Sequence, residues 1–151
     1  RSGNAIALVV GRGGTVELLL AGKSDVPVVQ TAGRSLYGSL LRAGIHIREY
    51  EPQILHAKLA IVDGVVFAGT SNLDARSLTI NYEFTLRLRD PQLVAEARTM
   101  FAADQALGTE ITLAGWRARQ TWLTRLRGAW ARLLVTKIDP WLARRQLSHL
   151  S

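Results

Sequence analysis

A histidine and a lysine two positions apart, His56 and Lys58, are the residues of this chain best suited to chemistry. Near neutral pH a histidine can act as a nucleophile or as a general acid. The ammonium group of a neighbouring lysine attracts and holds an anion. The flanking residues are apolar, which predicts a β-strand in which both side chains point to the same face. The pattern indicates a histidine that works on an anionic group.

The residues that follow predict a hairpin and then a polar loop. Asp63 and Gly64 lie between two apolar runs, and both tolerate the positive φ of a two-residue hairpin turn. Beyond the second strand come small polar groups that can approach a ligand closely: Gly69, Thr70, Ser71 and Asn72. An asparagine amide and a lysine ammonium can stabilise charge that develops on a phosphoryl group. We therefore interpret residues 55–83 as the segment around which the chain is organised.

This constellation resembles the HKD motif of the phospholipase D superfamily. The matching residues are His56-x-Lys58-x4-Asp63, then Gly69-Thr70-x-Asn72. Five residues separate Asp63 from Gly69, one fewer than the family usually has. The residues after the motif resemble the bacterial cardiolipin synthase branch: Leu73-Asp74-x-Arg76-Ser77 and Asn81-x-Glu83.

The resemblance implies a displacement at a phosphodiester that needs no metal and no cofactor. One histidine attacks phosphorus to form a phosphohistidine, and a histidine of a second HKD motif protonates the leaving alkoxide. The resemblance leaves open whether His56 is the nucleophile or the general acid. The carboxylate of Glu83 would orient the catalytic histidine, and Asp63 would have a structural role in the turn. The implied catalytic residues are His56, Lys58, Asn72 and Glu83, and the implied supporting residues are Asp63, Thr70, Ser71 and Asn81.

The implied reaction moves a phosphatidyl group to phosphatidylglycerol, with phospholipase D-type hydrolysis as an alternative. A further alternative is a nuclease in which two copies, each with a single HKD motif, form a homodimer. The second motif would come from a missing N-terminal half or from a second copy of the chain. Because the sequence begins at Arg1 with neither a methionine nor a signal-peptide pattern, we interpret it as the C-terminal half of a two-motif enzyme.

Strands and helices alternate along residues 15–107, which predicts an α/β fold with a mixed β-sheet flanked by helices. The resemblance implies that this fold is a phospholipase D-like sandwich. One helix is predicted over residues 26–43, and another from Pro91 to about Leu107. The loop at residues 22–25 is predicted either to contact a ligand or to be a polar turn in which Asp25 caps the first helix. For Arg34 and Tyr37 we favour a solvated arginine and a core tyrosine over contact with a lipid head group.

The last forty residues differ in composition from the rest. Residues 112–151 contain eight basic residues against one acidic residue, so the whole net charge of +7 belongs to them, and residues 1–111 are neutral. All four tryptophans also lie there, with leucines at helical spacing and arginines at most of the other positions. We predict two domains, a catalytic half-domain (1–111) and an amphipathic helical tail (112–151) that binds an anionic membrane surface. The alternative is that the tryptophan face packs on the α/β body.

These features define the expected partners and location. We expect a phospholipid substrate, an anionic membrane surface and a second HKD half. Nucleic acid is not expected, because phosphate binding would need basic groups around the catalytic residues, and residues 1–111 carry no net charge. No apolar run approaches the roughly 20 residues of a membrane-spanning helix. The resemblance to bacterial cardiolipin synthases implies a peripheral protein of the bacterial inner membrane, on its cytoplasmic face.

Overall fold

The computed structural model describes residues 8–70 and 84–134, which form two units. Residues 8–55 and 107–133 belong to the first unit, and residues 56–70 and 84–106 to the second. In chain order the elements are β1 (Glu17–Ala21), α1 (Pro27–Arg34), α2 (Tyr37–Arg42), β2 (His46–Tyr50), β3 (Leu59–Val62), β4 (Val65–Gly69), β5 (Thr85–Leu88), α3 (Pro91–Ala106), β6 (Gly108–Ile111), α4 (Leu113–Arg119) and α5 (Trp122–Leu133).

A mixed three-stranded sheet with the order β1-β2-β6 forms the first unit. Strand β1 is parallel to β2, and β6 is antiparallel to β2. Parallel neighbours need a crossover connection, and α1 and α2 provide it. Helix α4 packs on α2, and α5 packs on α1. The predicted α/β fold with a mixed sheet flanked by helices is confirmed.

The core of this unit lies between α2 and the sheet. Its buried residues are Tyr37, Ile45, Ile47 and Ile111. The ring of Trp116 packs against that of Tyr37, with 5.2 Å between the centroids and 47° between the planes. Trp116 is therefore a half-buried core residue, and the helical tail is interrupted at residues 120–121 before α5 begins.

The prediction of one helix over residues 26–43 is wrong, because the structure divides it into α1 and α2. The Ser35 hydroxyl donates to the Ala32 carbonyl at 2.6 Å, and Leu36 N–H donates to the Gly33 carbonyl at 3.1 Å. A serine that bonds back to the preceding turn competes with α-helical hydrogen bonding. Bonds to the third residue back belong to a tighter 3₁₀ turn, which often marks a helix end.

A glycine ends α2, whereas the interpretation of Asp25 as the cap of α1 is wrong. Gly44 follows α2 with φ +82°, the left-handed conformation in which a glycine commonly ends a helix. The N-cap of α1 is Val26, which makes no side-chain capping bond, so Asp25 is not the cap. The Ser24 hydroxyl instead accepts from Val26 N–H at 3.1 Å and forms a local turn.

The second unit is an antiparallel sheet with the order β3-β4-β5, covered by α3. Val66 of β4 and Val94 of α3 are buried. Asp90 caps α3, because its Oδ1 accepts from the N–H groups of Gln92 and Leu93 at 2.9 and 3.1 Å. The predicted extent of α3 is confirmed, and Leu93 and Met100 of this helix are exposed.

Candidate active site

His56 and Lys58 lie in a segment without regular secondary structure that leads into β3. The strand begins only at Leu59, so the prediction that both residues belong to it is wrong. His56 is exposed and Lys58 is half-buried. The Lys58 ammonium donates a hydrogen bond to the His56 carbonyl oxygen at 2.7 Å. Since an ammonium group has three N–H donors, this bond positions the cation and leaves two donors for an anion.

The far end of β4 holds Lys58 through the backbone. Gly69 N–H donates to the Lys58 carbonyl at 3.2 Å, which extends the β3–β4 pairing by one bond. Thr70 then pairs with Phe84 by two bonds of 3.0 Å, from Thr70 N–H to the Phe84 carbonyl and from Phe84 N–H to the threonine hydroxyl. The exposed Thr70 and the His56-Lys58 segment therefore lie on neighbouring stretches at one end of this sheet.

The predicted hairpin turn is present at Asp63 and Gly64, with φ of 46° and 76°. The register runs without interruption from Leu59–Ala68 to Val62–Val65. The five residues between Asp63 and Gly69 are thus taken up by the turn and a regular β4 without a bulge. Asp63 lies in the turn, at the opposite end of β3 from Lys58.

Four of the predicted site residues lie outside the described residues: Ser71, Asn72, Asn81 and Glu83. Their catalytic and supporting roles stay predictions. The described part of the site consists of His56 and Lys58, with Gly69 and Thr70 on the neighbouring strand.

Gly69 has no room for a side chain, which yields a testable prediction. A Cβ there would overlap the Phe84 carbonyl oxygen and lie 2.9 Å from Thr85 Cα. Both obstacles are backbone atoms, at Phe84 just before β5 and at the first residue of that strand. We therefore expect Gly69→Ala to lower the free energy of unfolding by about 2 kcal/mol, measured by urea denaturation.

Gly33→Ala is the matched control for this prediction. Gly33 lies in α1, and a Cβ there would meet nothing within 4 Å. Alanine should therefore stabilise the helix by about 0.5–1 kcal/mol. Equal urea midpoints for Gly69→Ala and the wild-type protein would show that β5 does not pack so closely on Gly69.

The first unit contains a polar cluster that the sequence patterns did not predict. Glu49 of β2 is 6% exposed. Arg34 donates two hydrogen bonds to its carboxylate, from Nε to Oε1 at 2.7 Å and from Nη2 to Oε2 at 2.8 Å. The Tyr37 hydroxyl donates a third to Oε1 at 2.9 Å. The prediction of a core tyrosine is confirmed, but a solvated Arg34 is wrong. A signal was available, because Glu49 shares its strand face with the apolar Ile47 two residues earlier.

This cluster also holds the loop that follows β1. The Gly22 carbonyl accepts from Arg34 Nη2 at 3.3 Å and from the Gln30 amide at 2.7 Å. Burial, reinforced by the Glu49 carboxylate, raises the pKa of the Tyr37 hydroxyl far above its usual value. The hydrogen bond to Glu49 raises the pKa of Arg34, so the arginine stays charged. The cluster is a fixed ion pair with a neutral tyrosine.

Comparison with known families identifies the class of protein to which this fold and motif belong. The model of the family described as "Cardiolipin synthase, PLD-like domain" matches residues 2–105, which is more than half of the chain. The chain therefore belongs to this family of the phospholipase D superfamily, a superfamily of enzymes, and it is cardiolipin synthase-like.

Individual relatives agree with the family match. The chain is 40% identical to cardiolipin synthase A of Pseudomonas syringae over 111 residues, 72% of this chain and 23% of the relative. It is 32% identical to a cardiolipin synthase of Staphylococcus aureus over 109 residues, 72% of this chain and 22% of the relative. The chain thus spans about a quarter of the length of the curated relatives that it matches.

A solved structure supports the fold. The phospholipase D family member Nuc from Salmonella typhimurium superposes with a TM-score of 0.61 over 73% of this chain and 72% of that chain. Sequence identity is 19%, so the likeness concerns the fold alone. The predicted phospholipase D-like architecture is confirmed.

Proposed function

We propose that the chain contributes one HKD site to a phosphatidyltransferase that makes cardiolipin. A phosphatidyl group would pass from one glycerophospholipid to the hydroxyl of phosphatidylglycerol by way of a phosphohistidine. The observation that carries the proposal is the match of the cardiolipin synthase family model to residues 2–105, a range that includes His56 and Lys58.

The geometry of the described residues suits this chemistry. An exposed imidazole at His56 is accessible to a phosphodiester group at the protein surface. Lys58 is fixed beside it by its bond to the His56 carbonyl at 2.7 Å. A positioned cation stabilises the negative charge that builds on the equatorial phosphoryl oxygens in the transition state. We propose that Asn72 adds an amide donor and that Glu83 orients the catalytic histidine.

The reaction needs a second histidine, which we propose comes from a second HKD motif. Attack by one imidazole on phosphorus breaks the bond to the leaving alkoxide, which takes a proton from the other imidazole. That second imidazole then removes the proton from the incoming hydroxyl group, which displaces the first histidine. The second motif would belong to another segment of the enzyme or to a second copy of this chain.

The substrate places this activity at a lipid surface. Within the described ranges, 8–70 and 84–134, no helix is long and apolar enough to cross a bilayer. We propose peripheral association with the cytoplasmic face of a bacterial inner membrane, where an anionic phospholipid surface would supply both donor and acceptor.

The product of the reaction tests the proposal. The chain, alone and together with the first half of the Pseudomonas syringae relative, is incubated with vesicles of fluorescent phosphatidylglycerol, and the lipids are separated. We expect cardiolipin and glycerol, formed only when a second motif is present. Phosphatidic acid as the sole product would replace the transferase by a hydrolase, and absence of turnover in both preparations would overturn the proposal.

A further inference from the structure

Helix α5 docks on the first unit through its smallest residues. Gly128 and Ala131 are its buried residues, and α5 packs on α1. A Cβ at Gly128 would lie 3.0 Å from Ser35 Cβ, so the backbone of α5 approaches the end of α1 closely. The contact with the protein therefore uses a narrow side of the helix.

The opposite side of α5 is apolar and exposed. Successive residues of an α-helix are rotated by about 100°, so Gly128 and Ala131 lie about 60° apart on the docking side. A second group of side chains falls within a sector of about 80° on the far side. We call this group the Trp stripe; its members and exposed fractions are Trp122 (72%), Leu126 (50%), Trp130 (60%) and Leu133 (51%).

Arginines lie at both edges of the Trp stripe. By the same rotation, Arg125 falls between the stripe and the docking side on one edge, and Arg127 falls there on the other. Both are exposed. Residues 112–134 contain no aspartate and no glutamate, so every charged side chain of this segment is positive.

We propose that the Trp stripe is a membrane-docking surface that lays α5 flat on an anionic phospholipid bilayer. Its tryptophans and leucines would enter the head-group layer, where amphipathic indole rings are favoured, and its arginines would contact lipid phosphates. This deepens the proposed function, on which it rests for the lipid substrate, by naming the surface that brings the chain to that lipid.

Charge complementarity favours a lipid surface over a second copy of the chain as the occupant. If two copies of the chain associated through their Trp stripes, the positively charged arginines at the stripe edges would lie close together. Like charges across an interface oppose association. An anionic bilayer offers negative charge on both sides of the stripe at once. The absence of acidic residues from residues 112–134 favours the same occupant.

Vesicle flotation tests the proposal with the 151-residue chain. Vesicles of equal parts phosphatidylglycerol and phosphatidylcholine are compared with vesicles of phosphatidylcholine alone. We expect binding about tenfold stronger to the anionic vesicles, weakened by salt. Trp122→Ala/Trp130→Ala should lower it about tenfold or more, because this double variant removes apolar area that would enter the lipid. Arg125→Gln/Arg127→Gln should remove most of the preference for anionic vesicles.

Matched controls come from the second unit. Leu93→Ala/Met100→Ala removes exposed apolar side chains from α3, and Arg89→Gln/Arg98→Gln removes two exposed arginines. We expect both double variants to bind as the wild type does. Binding that depends equally on these control positions, or that survives loss of both tryptophans, would overturn the proposal.

Two further readouts separate this proposal from its alternatives. Sedimentation of the free chain measures whether it forms a dimer. A dimer that is lost in Trp122→Ala/Trp130→Ala, while vesicle binding is unchanged, would show that the Trp stripe binds a second copy of the chain. That result would overturn the proposal of a lipid-binding surface. His56→Ala should bind vesicles as the wild type does. Failure of the transfer reaction alone would therefore leave docking intact, and failure of docking alone would leave turnover of detergent-dispersed lipid intact.

Discussion

Replacing His56 by alanine is expected to lower the rate of phosphatidyl transfer by about a thousandfold or more, without unfolding the chain. Either role of this histidine, nucleophile or general acid, is essential to a double displacement, and positioned proton transfer alone contributes roughly 10²–10⁴-fold. The side chain is exposed and precedes β3, so its loss should leave the sheet intact. The measurement is cardiolipin formation from labelled phosphatidylglycerol, with the second motif present.

His46→Ala is the control for this loss. His46 is an exposed residue of β2, in the first unit, and the HKD pattern does not include it. Its replacement should leave the rate within about twofold of wild type, since surface substitutions away from special features change little. A His56→Ala variant that keeps more than about a tenth of the wild-type rate would rule out both roles for His56.

The second large effect is expected at Glu49, where alanine should lower the free energy of unfolding by about 3 kcal/mol. Its carboxylate is nearly excluded from solvent and accepts two bonds from Arg34 and one from Tyr37. Removal of one member of a buried ion pair leaves the other charge and the tyrosine hydroxyl without their partner. Arg34 retains some access to solvent, at 36% side-chain exposure, which limits the penalty. Urea denaturation at neutral pH measures it.

An exposed ion pair between β2 and β6 provides the comparison. Glu110 lies 3.8 Å from Arg48, with side-chain exposures of 58% and 37%. Such pairs are worth about 0–1 kcal/mol, so Glu110→Ala should change stability by less than that. Combining Glu49→Leu with Arg34→Met should recover much of the lost stability, because buried ion pairs can often be replaced by apolar groups. Equal losses for Glu49→Ala and Glu110→Ala would contradict the picture of a desolvated cluster.

Local patterns predicted much of this fold, because they depend on residues close in sequence. The Asp63-Gly64 turn follows from the two residues that accept positive φ. Helix α3 follows from a proline at its first position.

Features that depend on distant partners could not be predicted in the same way. Strand β6 has only four residues, Gly-Thr-Glu-Ile, and exists because it pairs with β2, some sixty residues earlier in the chain. The sequence predicts too early a start for β3, because apolar residues continue upstream of Leu59. In the structure, hydrogen bonding to β4 extends back only to the Lys58 carbonyl. The burial of Glu49 could not be predicted in this way, because it depends on an ion pair with Arg34 in the crossover helix α1.

The motif residues were predictable as a pattern, although their arrangement was not. The longer constellation from His56 to Asn72 indicates the family. The bond from the Lys58 ammonium to the His56 carbonyl instead depends on the backbone of the segment that precedes Leu59, the first residue of β3. In the tail, too, the pattern was predictable but the packing of the side chains was not. Helical spacing grouped Trp116 with the later tryptophans, but its packing on Tyr37 separates it from the Trp stripe.

A rapid quench in denaturant at mildly alkaline pH, where the P–N bond of a phosphohistidine survives, tests most directly the claim that His56 belongs to a phosphatidyl-transfer site. The chain and its second motif are mixed with labelled phosphatidylglycerol, quenched at successive times, and digested for mass spectrometry. We predict a phosphatidyl adduct on histidine that forms and decays as cardiolipin appears. It should lie on His56 or on the second motif's histidine, and His56→Ala should block its formation or its decay. Cardiolipin formed at the wild-type rate without any histidine adduct would contradict this account.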